Sequence, residues 1–170
     1  MAKLYWGPLL LGASLFMGAC SGDDDGADPD SAPPADAIGP LFDPDYRDTY
    51  TQARNCRNSA SHDLHRIVVW ASPDAAPAYV PQEGEMPVGS ILLKEEYDFA
   101  DTNCEDEILR WTLMQKLPAG QGEDTLGWWW QDLEADGTVS SENHSLCYGC
   151  HDDCDGEPER VFDNTCAVLD

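Results

Sequence analysis

From residue 66 onward, short apolar runs alternate with clusters of turn-forming residues. RIVVWAS at 66–72 is β-branched and continuous, the pattern of a buried strand. SILLKEEYDF at 90–99 begins apolar and ends in charge, and ILRWTLMQKL at 108–117 sets Leu109, Trp111 and Leu113 two residues apart. Both read as strands. So does Gly127–Leu133 within LGWWWQDLEADGTV, closed by a turn at Asp136-Gly137. In that strand Trp128, Trp129 and Trp130 alternate faces, so one or two of them are buried. Upstream, the polar stretch 46–65 predicts a helix between Asp48 and Arg57, and the loop-rich PDAAPAYVPQEGEMPVG a short helix near Ala75–Tyr79. Strands separated by turns, with few helical periods, predict a mainly β domain. The expected architecture is an antiparallel sheet or sandwich with a few short helices and a cysteine-rich C-terminal segment.

The first forty residues follow other rules. MAKLYWGPLLLGASLFMGAC has one basic residue, an apolar run from Leu9 to Met17 and small residues before Cys20, the layout of an export signal ending in a lipidated cysteine. The run is too short to span a bilayer comfortably. Residues 21–40 are rich in Asp, Pro and Gly and hold too little apolar surface to fold, so they read as an acidic tether. The expected organisation is a lipoprotein signal at 1–20, a tether at 21–40 and one folded domain at 41–170. The protein would then be exported and lipid-anchored to a bacterial membrane, facing the periplasm or cell surface. A net charge of −24 with no Lys/Arg cluster argues against nucleic acid as a partner.

Seven cysteines change the picture. With Cys20 assigned to lipid, the densest group is CYGCHDDC at 147–154. Cys147-Tyr148-Gly149-Cys150-His151 has the spacing of covalent c-type haem attachment, in which two thiols bond the haem edge and the adjacent histidine ligates the iron. A zinc site recruiting Cys154 is the competing metal reading, but it places neighbouring Cys150 and His151 on one tetrahedral ion, and no second CxxC exists. A purely structural set of disulfides leaves His151 without a purpose. With haem on Cys147 and Cys150, four cysteines remain. Of their three possible pairings we expect Cys56–Cys104 and Cys154–Cys166, which suits an oxidising compartment.

In order along the chain, MPVGSILLKEEYD (86–98), GWWWQDL (127–133), CYGCH (147–151) and RVF (160–162) make this sequence resemble the cytochrome P-460 family over most of the 41–170 domain. The resemblance implies a mostly antiparallel β fold, often dimeric, with one covalent haem c and an open iron position. It implies that Lys94, the lysine of the Lys-Glu segment, is bonded to the haem edge, as in catalytic members. The activity implied is oxidation of hydroxylamine, with or without nitric oxide, with electrons passed to a soluble redox partner. The related cytochromes c′-beta keep the fold and bind gas without that chemistry, so a non-catalytic binder of nitric oxide or another diatomic gas stays open, as does a mono-haem electron carrier. Proton removal from bound hydroxylamine calls for a carboxylate, and Glu142, just upstream of CYGCH, is the expected catalytic base, with Glu95 and Glu96 next. His62 and His65 are candidates for a haem propionate contact or for surface roles, and Met86 and Met114 for core packing rather than iron ligation.

Overall fold

The computed structural model describes residues 39–59, 62–154 and 161–167. The expected export signal, Cys20, nearly all of the expected tether and Arg160 of the RVF segment lie outside the described residues. Within them, six strands form one antiparallel sheet in simple sequence order: β1 (Thr51–Asn58), β2 (Arg66–Ala71), β3 (Ile91–Tyr97), β4 (Arg110–Lys116), β5 (Trp128–Glu134) and β6 (Val139–Glu142). Three short helices accompany it: α1 (Tyr46–Thr49), α2 (Ala76–Tyr79) and α3 (Ser145–Asp153). The expected mainly β class holds, and the choice between sheet and sandwich resolves to a single sheet.

Both faces of that sheet are packed. Ile67, Val69, Leu92, Met114, Trp128 and Trp130 on one face pack with α2 and Phe162. Ile91, Leu93, Leu113 and Leu133 on the other pack with Tyr46 of α1 and with Leu41 and Phe42 before it. Strand alternation decides which residue goes where, because side chains along a strand point to opposite faces. The pairings Val69↔Lys94↔Thr112↔Asp132↔Ser141 therefore form one row across the first face, beside a second row, Ile67↔Glu96↔Arg110. Trp128 and Trp130 are buried on this face and Trp129 turns to the other, as the alternation requires. At the tip of the β5–β6 hairpin Gly137 takes φ +81, a left-handed conformation that glycine adopts without a Cβ clash.

Two elements differ from the expectation. The helix predicted between Asp48 and Arg57 is instead the single turn α1 followed by β1. TQARNCRN lacks alternation because it is an edge strand, held by pairing with β2 rather than by its own pattern. The short β6, VSSE, carries one apolar residue and gives no strand signal of its own. The two disulfides are the expected ones. Cys56–Cys104 ties β1 to the loop after β3 with Cα atoms 5.7 Å apart, and Cys154–Cys166 joins the end of α3 to the C-terminal segment at 5.1 Å.

Candidate functional site

Between α3, the first face of the sheet and the β1–β2 hairpin lies a cavity of about 920 Å³. That is at the upper end of the size range of small-molecule and cofactor pockets, roughly 300–1,000 Å³. Its helical wall is built by spacing. Residues at i, i+3 and i+4 share one face of a helix, and here those positions are Cys147, Cys150 and His151, with Cys154 the residue that caps the helix end. The first three line the cavity, while Cys154 is taken by its disulfide. The helix starts at His144, whose Nδ1 accepts the Leu146 amide at 3.3 Å. Cys147 and Cys150 form no part of either disulfide.

His151 is buried against the edge of Trp130, with ring centroids 4.7 Å apart. Its Nδ1 lies 2.6 Å from the carbonyl oxygen of Asn164, which can only accept, so Nδ1 carries the hydrogen and Nε2 keeps a lone pair. A second-neighbour bond of this kind orients a metal-binding imidazole. The strap that presents Asn164 is held by Lys116 Nζ to Asp163 at 2.7 Å, by Trp128 Nε1 donating to the Asp163 carbonyl at 3.2 Å, and by Cys154–Cys166. Burial, supported by the charge of Lys94, pulls the His151 imidazole down to about 3, so the ring is neutral and fit to donate a lone pair. As a thiol, Cys147 is pushed up to about 12 by burial and then by Asp132.

The sheet wall contributes Lys94, Thr112, Met114, Trp130 and Asp132. Burial lowers Lys94 from the ordinary lysine value against the opposing pull of Glu96. Its Nζ lies 2.9 Å from His62 Nε2. Glu96, wholly buried, anchors this corner: it takes His62 Nδ1 at 2.8 Å, His65 Nδ1 at 2.9 Å and Arg110 Nε at 2.7 Å. Burial alone would raise this carboxyl, but the hydrogen bonds and charges of His62, then His65 and Arg110, hold it well below the usual carboxylate range.

The chain holds nine Lys and Arg against 33 acids, yet four of the nine, Arg54, Arg57, Lys94 and Arg110, line this one cavity. Arg54 and Arg57 are three apart and would point oppositely on a regular strand. An irregularity between them in the β1–β2 register sets Arg54 opposite Val69 and Arg57 opposite Ile67, both residues of the cavity face. In the sequence this pair falls in the stretch expected to be helical, and the scarcity of cations elsewhere is its only signal.

Of the other anticipated site residues, the structure brings Lys94, Cys147, Cys150 and His151 together on one cavity, and His62 with them. Glu142 is not brought there. It pairs with Gln131, accepts from Gln131 Nε2 at 2.7 Å and Trp129 Nε1 at 3.4 Å, and so belongs to the opposite face. Closeness in sequence to CYGCH does not carry across a strand. The cavity carboxylate on this side is Asp132, held by Ser141 Oγ at 2.6 Å. Glu95 also faces away, bonded to Tyr46, Arg47 and Tyr97. Met86 packs in the core; Met114 is buried and also lines the cavity.

Among known families, the one described as Cytochrome P460 matches residues 43–162. No curated protein matches the chain. The match spans nearly the whole described domain, and the chain belongs to the Cytochrome P460 family.

Proposed function

Given that membership, we propose that this is an exported haem c protein that oxidises hydroxylamine, with or without nitric oxide, in the cavity between α3 and the sheet. The observation that carries the reading is the placement of Cys147, Cys150 and His151 on one wall of a roughly 920 Å³ cavity whose sheet wall holds Lys94. The residues present suit the group the family implies. Two thiols one helical turn apart would bond its edge, and the Nε2 lone pair of His151, fixed by Asn164, would ligate its iron. Arg54 and Arg57 would meet its carboxylates, which explains why cations gather here in so acidic a chain. Trp130 and Met114 supply apolar contact. Bound there, the group supplies an iron centre that accepts electrons one at a time.

The chain's own contribution is to bind, orient and drain protons. Each hydroxylamine oxidised towards nitrous oxide or nitrite releases protons as well as electrons, and Asp132 and the Lys94–His62 pair are cavity groups able to take them. The electrons pass to a soluble redox partner. Lipidation at Cys20 and the 21–40 tether would hold the domain at a membrane surface. The two disulfides are consistent with export to an oxidising compartment. Among the described residues no helix is long and apolar enough to cross a membrane.

A second reading, non-catalytic binding of nitric oxide or another diatomic gas, draws on the apolar stretch of cavity wall formed by Ile67, Val69, Leu92 and Met114. The optical spectrum of the ferrous protein, produced in a host that matures c-type haem, separates the two. A strongly red-shifted Soret band with hydroxylamine turnover supports the enzyme and a bond to Lys94. An ordinary ferrous c-type spectrum without turnover moves the assignment to gas binding. Haem that extracts into acidified acetone overturns covalent attachment altogether.

A further inference from the structure

Glu96, His62 and Lys94 form a line of hydrogen bonds ending in the cavity, and its chemistry is directional. An ionised carboxylate only accepts, so His62 donates Nδ1–H to Glu96 and presents the Nε2 lone pair to Lys94 Nζ. Carboxylate, imidazole and a protic nitrogen in that order are the arrangement by which a buried acid fixes one tautomer of a histidine and steadies the imidazolium when it forms. The backbone enforces it. A turn closed by His65 N donating to the His62 carbonyl at 2.7 Å folds both imidazoles over β3, where the two oxygens of Glu96 receive one each.

We propose that His62 is the proton acceptor of the cavity, reached through Lys94, and that Glu96 is the residue that positions it. This rests on the reading of the cavity as a site for a protic nitrogen substrate. In the step, one proton on Lys94 Nζ passes to His62 Nε2, and the lone pair this frees on Nζ takes the proton of an N–H or O–H bond of the substrate beside it, the bonding pair staying on the substrate atom. Lys94 ends unchanged, and the imidazole becomes an imidazolium against the ionised Glu96. His62 is 18 % exposed and returns the proton to water. The charged groups facing His62 are Lys94 and Glu96 from β3 and Arg110 from β4, with Asp63 beside it paired to Arg110 and His65 sharing Glu96. Burial first and Lys94 second lower the imidazole from its ordinary value against the pull of Glu96, which keeps it neutral and able to accept.

The test uses the haem-loaded protein and two ligands. Hydrogen cyanide binds ferric iron as the anion and must leave its proton in the cavity; nitric oxide has none to leave. His62→Gln keeps a hydrogen-bonding group but takes no proton. The expected result is association of hydrogen cyanide slowed about a hundredfold, the low end of what a positioned base contributes, with nitric oxide association unchanged. Glu96→Gln should slow hydrogen cyanide in the same sense, and the double variant should be no slower than His62→Gln. Equal slowing of both ligands, or of neither, overturns the proposal. Independently of what the cavity holds, nitrogen-15 NMR of the histidines should find His62 as the Nδ1–H tautomer in the native chain; the Nε2–H tautomer overturns it. A protein whose hydrogen cyanide binding depends on His62 but which leaves hydroxylamine untouched would sink the enzyme reading and leave the proton acceptor standing.

Discussion

Glu95 and Glu96 are neighbours in β3, both almost fully buried, and they lead different lives. Glu95 faces the side covered by α1, where Tyr46, Tyr97 and Arg47 satisfy it, and burial, then the bond to Glu95, pushes the Tyr46 hydroxyl up to about 12. Glu96 faces the cavity, where two histidines and Arg110 satisfy it and one of those histidines reaches on to Lys94. One carboxylate closes a network of groups that stay uncharged or permanently charged near neutrality. The other closes a network that contains two imidazoles, the side chain that can both accept and donate a proton. The same residue type at the same burial serves structure on one face and chemistry on the other, and its partners make the difference.

The sharpest break in that comparison removes the chemistry of the cavity face alone. Cys147→Ala with Cys150→Ala should abolish covalent haem completely, read as no haem stain on a denaturing gel. The far face, with its Glu95 network, should remain folded by circular dichroism. Next in size are the disulfides. Replacing Cys56 and Cys104 by alanine opens a 48-residue separation and should cost about 4 kcal/mol, against about 3 kcal/mol for Cys154 and Cys166 across 12. Urea unfolding measures both. Only the second pair steadies the strap that presents Asn164 to His151, so only its loss should also shift the haem spectrum.

Glu95→Gln and Glu96→Gln should each cost about 3 kcal/mol, the range for breaking a buried charged pair from one side, and the loss of Glu96 should also change how stability depends on pH. The Glu96 carboxyl is held low in the folded chain, so the unfolded chain binds the proton first on acidification. Its stabilisation is complete above the ordinary glutamate range, near pH 4.5, and is lost progressively as pH falls below it. Urea midpoints measured from pH 6 down to pH 3 should therefore fall less steeply in Glu96→Gln than in the native chain. An unchanged slope would mean that the carboxyl is not held low.

Much of this was legible in the chain. β2 to β5 follow from apolar runs and turn residues, because a strand buried on both faces advertises itself. The cavity wall of α3 was present in CYGCHDDC as a chemical motif, and both disulfide pairs were anticipated. What could not be read depends on register. β1 is a polar edge strand, and the irregularity that turns Arg54 and Arg57 to the same face has no sequence mark. The role of His62 depends on a turn that folds it onto a strand more than thirty residues away.

Glu142 is the smallest effect and the most direct test of how much sequence proximity is worth. It lies five residues before Cys147, inviting a place beside the haem motif, yet its partner across the sheet is Gln131 and its oxygen is committed to Gln131 and Trp129. Gln131 in turn spends its amide on the segment before α1, accepting from Leu41 N at 3.0 Å and donating to the Gly39 carbonyl at 3.1 Å. Glu142→Ala should therefore loosen the covered face by about 1–2 kcal/mol, the cost of hydrogen-bond donors deprived of a charged acceptor. Hydrogen exchange should quicken at the Leu41 amide, while hydrogen cyanide association and the ferrous spectrum stay as in the native protein. A change in ligand binding with no change at Leu41 would return Glu142 to the cavity and reverse the assignment of the two faces at β6.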